Sequence, residues 1–386
     1  AFRMKFFSLA WLQLIHEKRR VVAALAGISF AVLLVLMQLG FQDALYNSAT
    51  LIHAHLKCDL VLISTQYDYV LSPGTFSQRR LYQTLAFDDV ASVNSLYMDL
   101  SRWKNPETHR ERLIFVMGFD PHANALDLPG VSENLDQIKL PDVVLFDSGS
   151  RPEFGPIARL FRKNERIVTE VGDRKIKVGG LFELGTSFAA DSNLITSDLN
   201  FLRIFKTHKQ GLINIGLVTL KPKTNPEKVR VQLVTALPKD VKILTRQEFI
   251  DLEKRFWKTT TPIGFIFNLG MLMGLMIGGV IVYQILYTDV SHHLVEYATL
   301  KAIGYTNRNL SSVVLQESLI LSILGYLPGF VISQVLYTIT KNATLLPLHM
   351  TLTRVIMVFL LTVLMCSISG ILAMRRLQSA DPAEVF

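Results

Sequence analysis

His292, His293 and Glu296 stand within five residues of one another, and the last two are one helical turn apart, so an imidazole and a carboxylate share a face there. A metal held at that point needs a third ligand, and none is evident nearby, so we assign no metal site. The sequence holds no G-x-x-x-x-G-K-[ST] loop for ATP, no H-E-x-x-H, no Cys-x-x-Cys and no G-x-S-x-G. Spacing supports no Ser/His/Asp set, and no catalytic residue is assigned. Glu317 is the exception among otherwise apolar runs; at the start of its run it is expected to meet the neighbouring connection or water rather than a substrate. The chemistry on offer is that of a contact surface. In Tyr283–Gly304, Leu294, Tyr297, Ala298 and Lys301 fall at i, i+3, i+4 and i+7, and Gly304 follows as a left-handed stop.

Two long apolar runs bracket that stretch. Half of the residues are hydrophobic and 19% are charged, and the apolar excess sits in four runs: Val21–Leu39, Ile263–Leu286, Val313–Ile339 and Val355–Ala373. Each is near or above the roughly 20 residues that cross a bilayer. The expected fold is therefore an α-helical membrane protein with four transmembrane helices and a large mixed α/β domain of two lobes. A short amphipathic helix tied to a span at each end is a lever, because a partner pushing on it tilts both spans.

The expected order is an interfacial helix (1–20), a first span (21–41), a stalk (42–56) and the α/β domain (57–245, with an inserted lobe at about 119–206). A second stalk (246–262), second span (263–287), coupling helix (288–311), third span (312–340), short loop (341–352), fourth span (353–374) and tail (375–386) complete it. Ala1–Arg3 ahead of Met4 read as additions before a natural start. Lys5, Lys18, Arg19 and Arg20 before the first span, Lys301 and Arg308 between spans two and three, and Arg375 and Arg376 after the fourth all fall on one side. That side is cytoplasmic by the excess of short-loop cations, which leaves both termini inside and the large domain outside or periplasmic. The net charge of +8 includes these flanks. No basic and aromatic stripe is interleaved in the soluble part, so no nucleic-acid partner is expected. Cys58 lies outside and Cys366 within the fourth span, which excludes a disulfide framework.

Past the first span, Leu45, Ala49, Ile52 and Leu56 repeat at four, three, four, a coiled-coil seam; Phe249, Leu252 and Phe256 form a matching one that leads through Trp257 and Pro262 into the second span. These seams predict a two-helix stalk. In the domain, strands are expected at 59–64, 93–103, 112–118, 166–171, 175–178, 213–220 and 241–245, and helices at 77–85, 197–205 and 226–237. The first and last thirds each read strand, helix, strand, which predicts one split sheet. Gly270, Gly274 and Gly278 form a tandem small-residue seam for close packing on the first span or on a symmetry mate. Gly325, Pro328 and Gly329 predict a kink or break in the third span. Asp381, Pro382 and Glu384 have the pattern of a capped start to a last short helix.

Glu296-Tyr-Ala-Thr-Leu-Lys-Ala-Ile-Gly304-Tyr-Thr resembles the E-x-x-x-L-K-A-[IL]-G-A signature of FtsX-like permeases, the MacB-type ABC transporter subunits, and Ala380-Asp-Pro-Ala-Glu-Val385 resembles that family's closing motif. Cys58-Asp-Leu-Val, Ser72-Pro-Gly-Thr-Phe76, Trp103-Lys-Asn-Pro106, Leu128-Pro-Gly130 and Asp147-Ser-Gly-Ser-Arg-Pro-Glu-Phe-Gly155 look like the DevC-type permeases of cyanobacterial exporters. The resemblance implies a homodimer in the bacterial inner membrane that binds a separate ABC ATPase through Glu296, Leu300, Lys301, Ala302 and Gly304. It implies no cofactor bound directly, with ATP and Mg2+ held by that ATPase. It also implies a periplasmic adaptor of the membrane-fusion type and, indirectly, an outer-membrane TolC-like channel, with glycolipid or another amphiphile as cargo. Tyr305 stands where the family often has alanine, and His292–His293 where a charged pair is common. The alternatives are an FtsX-like relay controlling a periplasmic cell-wall hydrolase, a lipoprotein-extracting relative, and a membrane-anchored enzyme or sensor.

Overall fold

The computed structural model describes residues 18–293, 295, 299 and 307–379, with side chains left undescribed at 307–310 and 376–379. The chain forms two compact units, one of Leu45–Thr261 with Leu345–Pro347, the other of the membrane helices. The first helix, α1 (Lys18–Ala49), is followed at once by the single turn α2 (Leu51–Ala54).

The soluble unit opens with β1 (Leu60–Ser64), β2 (Phe76–Ser77), α3 (Gln78–Gln83), the 15-residue β3 (Val90–Lys104) and β4 (Glu111–Phe119). It closes with β9 (Leu212–Ile213), β10 (Ile215–Leu220), α7 (Pro226–Ala236), β11 (Val241–Thr245) and α8 (Arg246–Arg255). Between lie α4 (Leu135–Ile138), β5 (Val143–Asp147), α5 (Ile157–Arg162), β6 (Val168–Val171), β7 (Arg174–Phe182), β8 (Asn193–Ser197) and α6 (Asp198–Ile204). Polar caps set the helix starts. Ser197 accepts from Asn200 N, Asn225 from Glu227 N ahead of Pro226, and Thr245 with Glu248 forms a reciprocal capping box.

Nine strands form one sheet in the order β11-β1-β10-β3-β4-β8-β5-β7-β6. The first four come from the outer thirds of the domain and pair antiparallel throughout. They repeat β-α-β twice with the strands interleaved, the ferredoxin-like split arrangement. The inserted residues continue that sheet. β8 joins β4 in parallel, and β3 reaches far enough for Trp103 to pair with Val171 of β6, so β3, β4, β8, β5, β7 and β6 return on themselves. The two lobes are thus an open half and a closed half sharing β3. Both faces of the sheet are covered. Along β4, Ile114 and Val116 enter one core cluster while Phe115, Met117 and Phe119 enter the other.

In the membrane unit, α1 is joined by α9 (Pro262–His292), α10 (Asn307–Thr344) and α11 (Leu352–Ser379). All four are long and apolar enough to cross a bilayer. Ala24, Ile28, Val32, Val35 and Leu36 of α1 are all fully or almost fully buried, which makes α1 the centre of this bundle. Of the kink or break expected in the third span, the break is not there, since α10 runs continuously through Pro328. Gly325 and Gly329 are instead where α1 comes closest. A methyl group added at Gly325 would meet Ile28 Cβ at 2.7 Å, and one at Gly329 would meet Ser29 O at 2.7 Å. Ser29 Oγ donates to Gly325 O at 2.8 Å, so the contact is polar as well as close.

Candidate functional site

The lever residues singled out above, Glu296, Leu300, Lys301, Ala302 and Gly304, lie outside the described residues, as do Leu294, Tyr297, Ala298, Tyr305 and the tail motif from Ala380 onward. Just before them, His293 turns back rather than forward. Its Nδ1 lies 3.0 Å from Asp289 O and 3.7 Å from Asp289 Oδ1. Among the described residues, no group of three His, Cys, Asp or Glu is placed to hold a metal. Glu317 is buried, at 2% exposure, so of the two expected neighbours water is excluded, while the connection lies outside the described residues.

The stalk residues converge on a buried polar knot. Leu45 is buried, and Ile52 and Leu252 pack on the core cluster that contains Leu56 and Phe249. Phe256 goes elsewhere; its ring stacks on Tyr69 with centroids 4.6 Å apart. Beside them lies Glu253, fully buried. Its Oε1 accepts from Trp257 Nε1 at 3.0 Å and from Val70 N at 3.3 Å, while Oε2 accepts from Tyr67 Oη at 3.0 Å. His53 Nε2 sits 3.2 Å from Tyr67 Oη and 3.5 Å from Glu253 Oε2, and its ring packs on Phe249. Burial pushes the Tyr67 hydroxyl well above the ordinary phenol value, and the neighbouring Glu253 carboxylate adds to the rise. One carboxylate therefore ties together α2, the 67–72 loop and the end of α8.

Between the second seam and the membrane helix the helical backbone is interrupted. After α8 the chain forms a π-turn at Phe256–Thr260, and Thr261 is extended (φ −98°, ψ 151°) ahead of Pro262. A proline disfavours helical backbone in the residue before it, which accounts for the break. Sequence spacing showed the apolar seam and missed His53, Tyr67, Glu253 and Trp257. No periodic signal marks a buried acid among EKRFW.

In the membrane unit, Gly270, Gly274 and Gly278 all face α1. A methyl group at Gly270 would meet Gln38 Nε2 at 2.5 Å, at Gly274 Leu34 Cβ at 3.3 Å, and at Gly278 Ala31 Cβ at 2.5 Å. Further along α1, Arg354 of α11 is 4% exposed and donates to Tyr337 Oη at 3.0 Å and His349 O at 2.9 Å. Its other amine pairs with Asp43, so one guanidinium ties α11 to α1 and α10.

The loop words of the soluble unit are structural clasps. Trp103 Nε1 donates to Phe154 O and Asn105 Nδ2 to Glu153 O, both at 2.9 Å, which fastens the β3 end to the 147–155 loop. Asp147, fully buried, accepts from Gly149 N, Leu184 N, Gly185 N and Asn193 Nδ2. Burial raises its carboxyl, and those donors, Asn193 foremost, pull it back. Glu183 N donates to Pro129 O at 3.0 Å and Asn214 Nδ2 to Gly74 O at 2.9 Å.

Comparison with known proteins agrees in part with this organisation. Residues 268–382 match the family described as FtsX-like permease C-terminal. No curated protein sequence matches. Among solved structures the chain is similar to the periplasmic region of MacB from Actinobacillus actinomycetemcomitans, at 13% identity, TM-score 0.37, over 54% of this chain and 97% of that one. It is also similar to the extracellular domain of the noncanonic ABC-type transporter YknZ from Gram-positive bacteria (12%, TM-score 0.32, 48% and 98%). A domain of a putative permease from Porphyromonas gingivalis is a third (12%, TM-score 0.30, 50% and 89%).

Proposed function

We propose that this chain is the permease subunit of an ATP-driven exporter and works by relaying motion, with nucleotide bound and hydrolysed by a separate subunit. The observation that carries the reading is the match of residues 268–382 to the FtsX-like permease C-terminal family, a stretch that holds three of the four membrane helices and the lever between two of them. The absence of a nucleotide-binding loop from the sequence agrees with a division of labour. On this reading the lever is cytoplasmic and Glu296, Leu300, Lys301, Ala302 and Gly304 contact the ATPase. ATP and Mg2+ stay with that partner, and two copies of the chain form the working unit. The soluble unit meets a periplasmic adaptor that leads to an outer-membrane channel, and the cargo is a glycolipid or similar amphiphile.

The test is ATP turnover in the reconstituted complex. Charge reversal at both sites, Glu296→Lys with Lys301→Glu, is expected to abolish the stimulation that this chain gives its partner ATPase. Unchanged stimulation overturns the assignment of the lever. Copurification of a cell-wall hydrolase in place of an adaptor would replace export by an FtsX-like relay.

A further inference from the structure

Between α9 and α11 runs an apolar groove of about 900 Å3, within the range of sites that hold a small organic ligand. Its floor lies where the two helices meet most closely. Ser369 Oγ donates to Gly279 O at 2.9 Å, and a methyl group at Gly279 would touch Met365 Cγ at 3.6 Å. Exposed Met276 and Val280 form one wall, and Leu364 and Ile368 the other. A shallower depression of about 480 Å3 shares Leu361 and Leu364 and continues to Leu352. At 1.5 Å per residue, the track from Leu352 to Arg375 spans roughly 35 Å, about the thickness of a bilayer's hydrocarbon layer.

Polar groups gather at one end of it. The helices advance in the same direction, since Gly278 meets Met365 and Leu286 meets Gly370. Tyr283 and Arg375 therefore close the same end of the groove. Among the described residues, no acidic side chain lines the groove and no ion pair takes up the Arg375 guanidinium.

We propose that this groove seats the acyl chains of an anionic membrane phospholipid whose phosphate is held by Arg375 and Tyr283. Acyl chains gain little by leaving the bilayer for an equally apolar protein surface, so any selectivity must come from the head group. A guanidinium fork pairs with a phosphate through two parallel hydrogen bonds, and an added choline cation weakens the match. A second copy of the chain fits less well as occupant. Meeting it groove to groove, a second copy would cover Arg375 with a wall whose described residues carry no counter-charge. The inference stands without the exporter reading.

Native mass spectrometry of the full chain in mild detergent, incubated with phosphatidylglycerol or phosphatidylcholine, tests it. The wild type is expected to retain phosphatidylglycerol preferentially. Arg375→Gln should cut that retention about tenfold, the worth of one good charged contact, and leave phosphatidylcholine unchanged. Val280→Trp, which adds bulk at an exposed wall, should lower retention of both lipids. Equal retention of the two lipids by the wild type, or full preference in Arg375→Gln, overturns the proposal. So does cross-linking between copies through cysteines at Met276 and Leu364 in lipid-free protein.

Discussion

A buried polar group is tolerated where hydrogen bonds replace its solvation, and the Glu253 carboxyl group has three donors within 3.3 Å, from the Tyr67 hydroxyl, the Trp257 indole and the Val70 amide. Each buried donor left without an acceptor costs about 1–3 kcal/mol. Glu253→Ala should therefore destabilise the soluble unit by roughly 3 kcal/mol or more. Denaturant unfolding followed by tryptophan fluorescence measures this, and Trp257 reports the lost bond directly. Cys58 makes a second case at this scale. Burial pushes its thiol up to about 12, with Arg246 only partly opposing the rise. The reactive species is the thiolate, so at pH 8 the native protein should be alkylated at Cys58 far more slowly than the unfolded chain. A Cys366→Ser background isolates that site, and the rate should climb as the pH is raised toward the shifted value. Glu253 was not legible in the sequence: it is one of three acids in α8, and only the fold singles it out by burying it. Cys58 stood in a family-like word, but nothing around it in the sequence announced a raised thiol.

At the scale of elements, legibility followed periodicity. The glycines of the second span repeat every fourth residue, and all three line one contact with α1. They are not equivalent. A methyl group at Gly274 finds 3.3 Å to Leu34 Cβ, whereas at Gly278 it finds 2.5 Å to Ala31 Cβ. Gly274→Ala should be tolerated, while Gly278→Ala should cost about 1–3 kcal/mol of bundle stability, the usual penalty for overpacking. Thermal unfolding of the detergent-solubilised chain separates the two. The glycines and proline of the third span read as a break because the same residues serve kinks and close contacts, and only the neighbouring helix decides between them. Two strands of the main sheet escaped the sequence altogether. β5 (VVLFD) and β8 (NLITS) are buried at every position, so the alternation that reveals a half-exposed strand is missing. The stalk seams were visible as apolar repeats. The π-turn and the extended Thr261 were not, although the proline that enforces them stands in plain view.

For the whole molecule, hydropathy and cation placement say more than any motif. Four helices are long enough to span, and the excess of cations in short connections predicts that the link between the second and third spans lies on the same side as the tail. Cysteines placed at Asn342 and at Arg308 should label oppositely when intact cells meet an impermeant maleimide, with Asn342 accessible and Arg308 protected. The reverse pattern would invert the orientation on which the lever's role depends. The split sheet was readable from two strand-helix-strand thirds. Its closure was not, because closure rests on the single pairing of Trp103 with Val171 across 68 residues of chain.

That pairing is made by β3, which runs 15 residues and belongs to both halves of the soluble unit. It meets β10 over Val90–Leu96 and β4 over Leu96–Lys104. A hinge between the halves would have to crease a continuous strand, so any torque applied at the β11 edge is delivered to the closed half without slack. The shared strand makes the two halves one body.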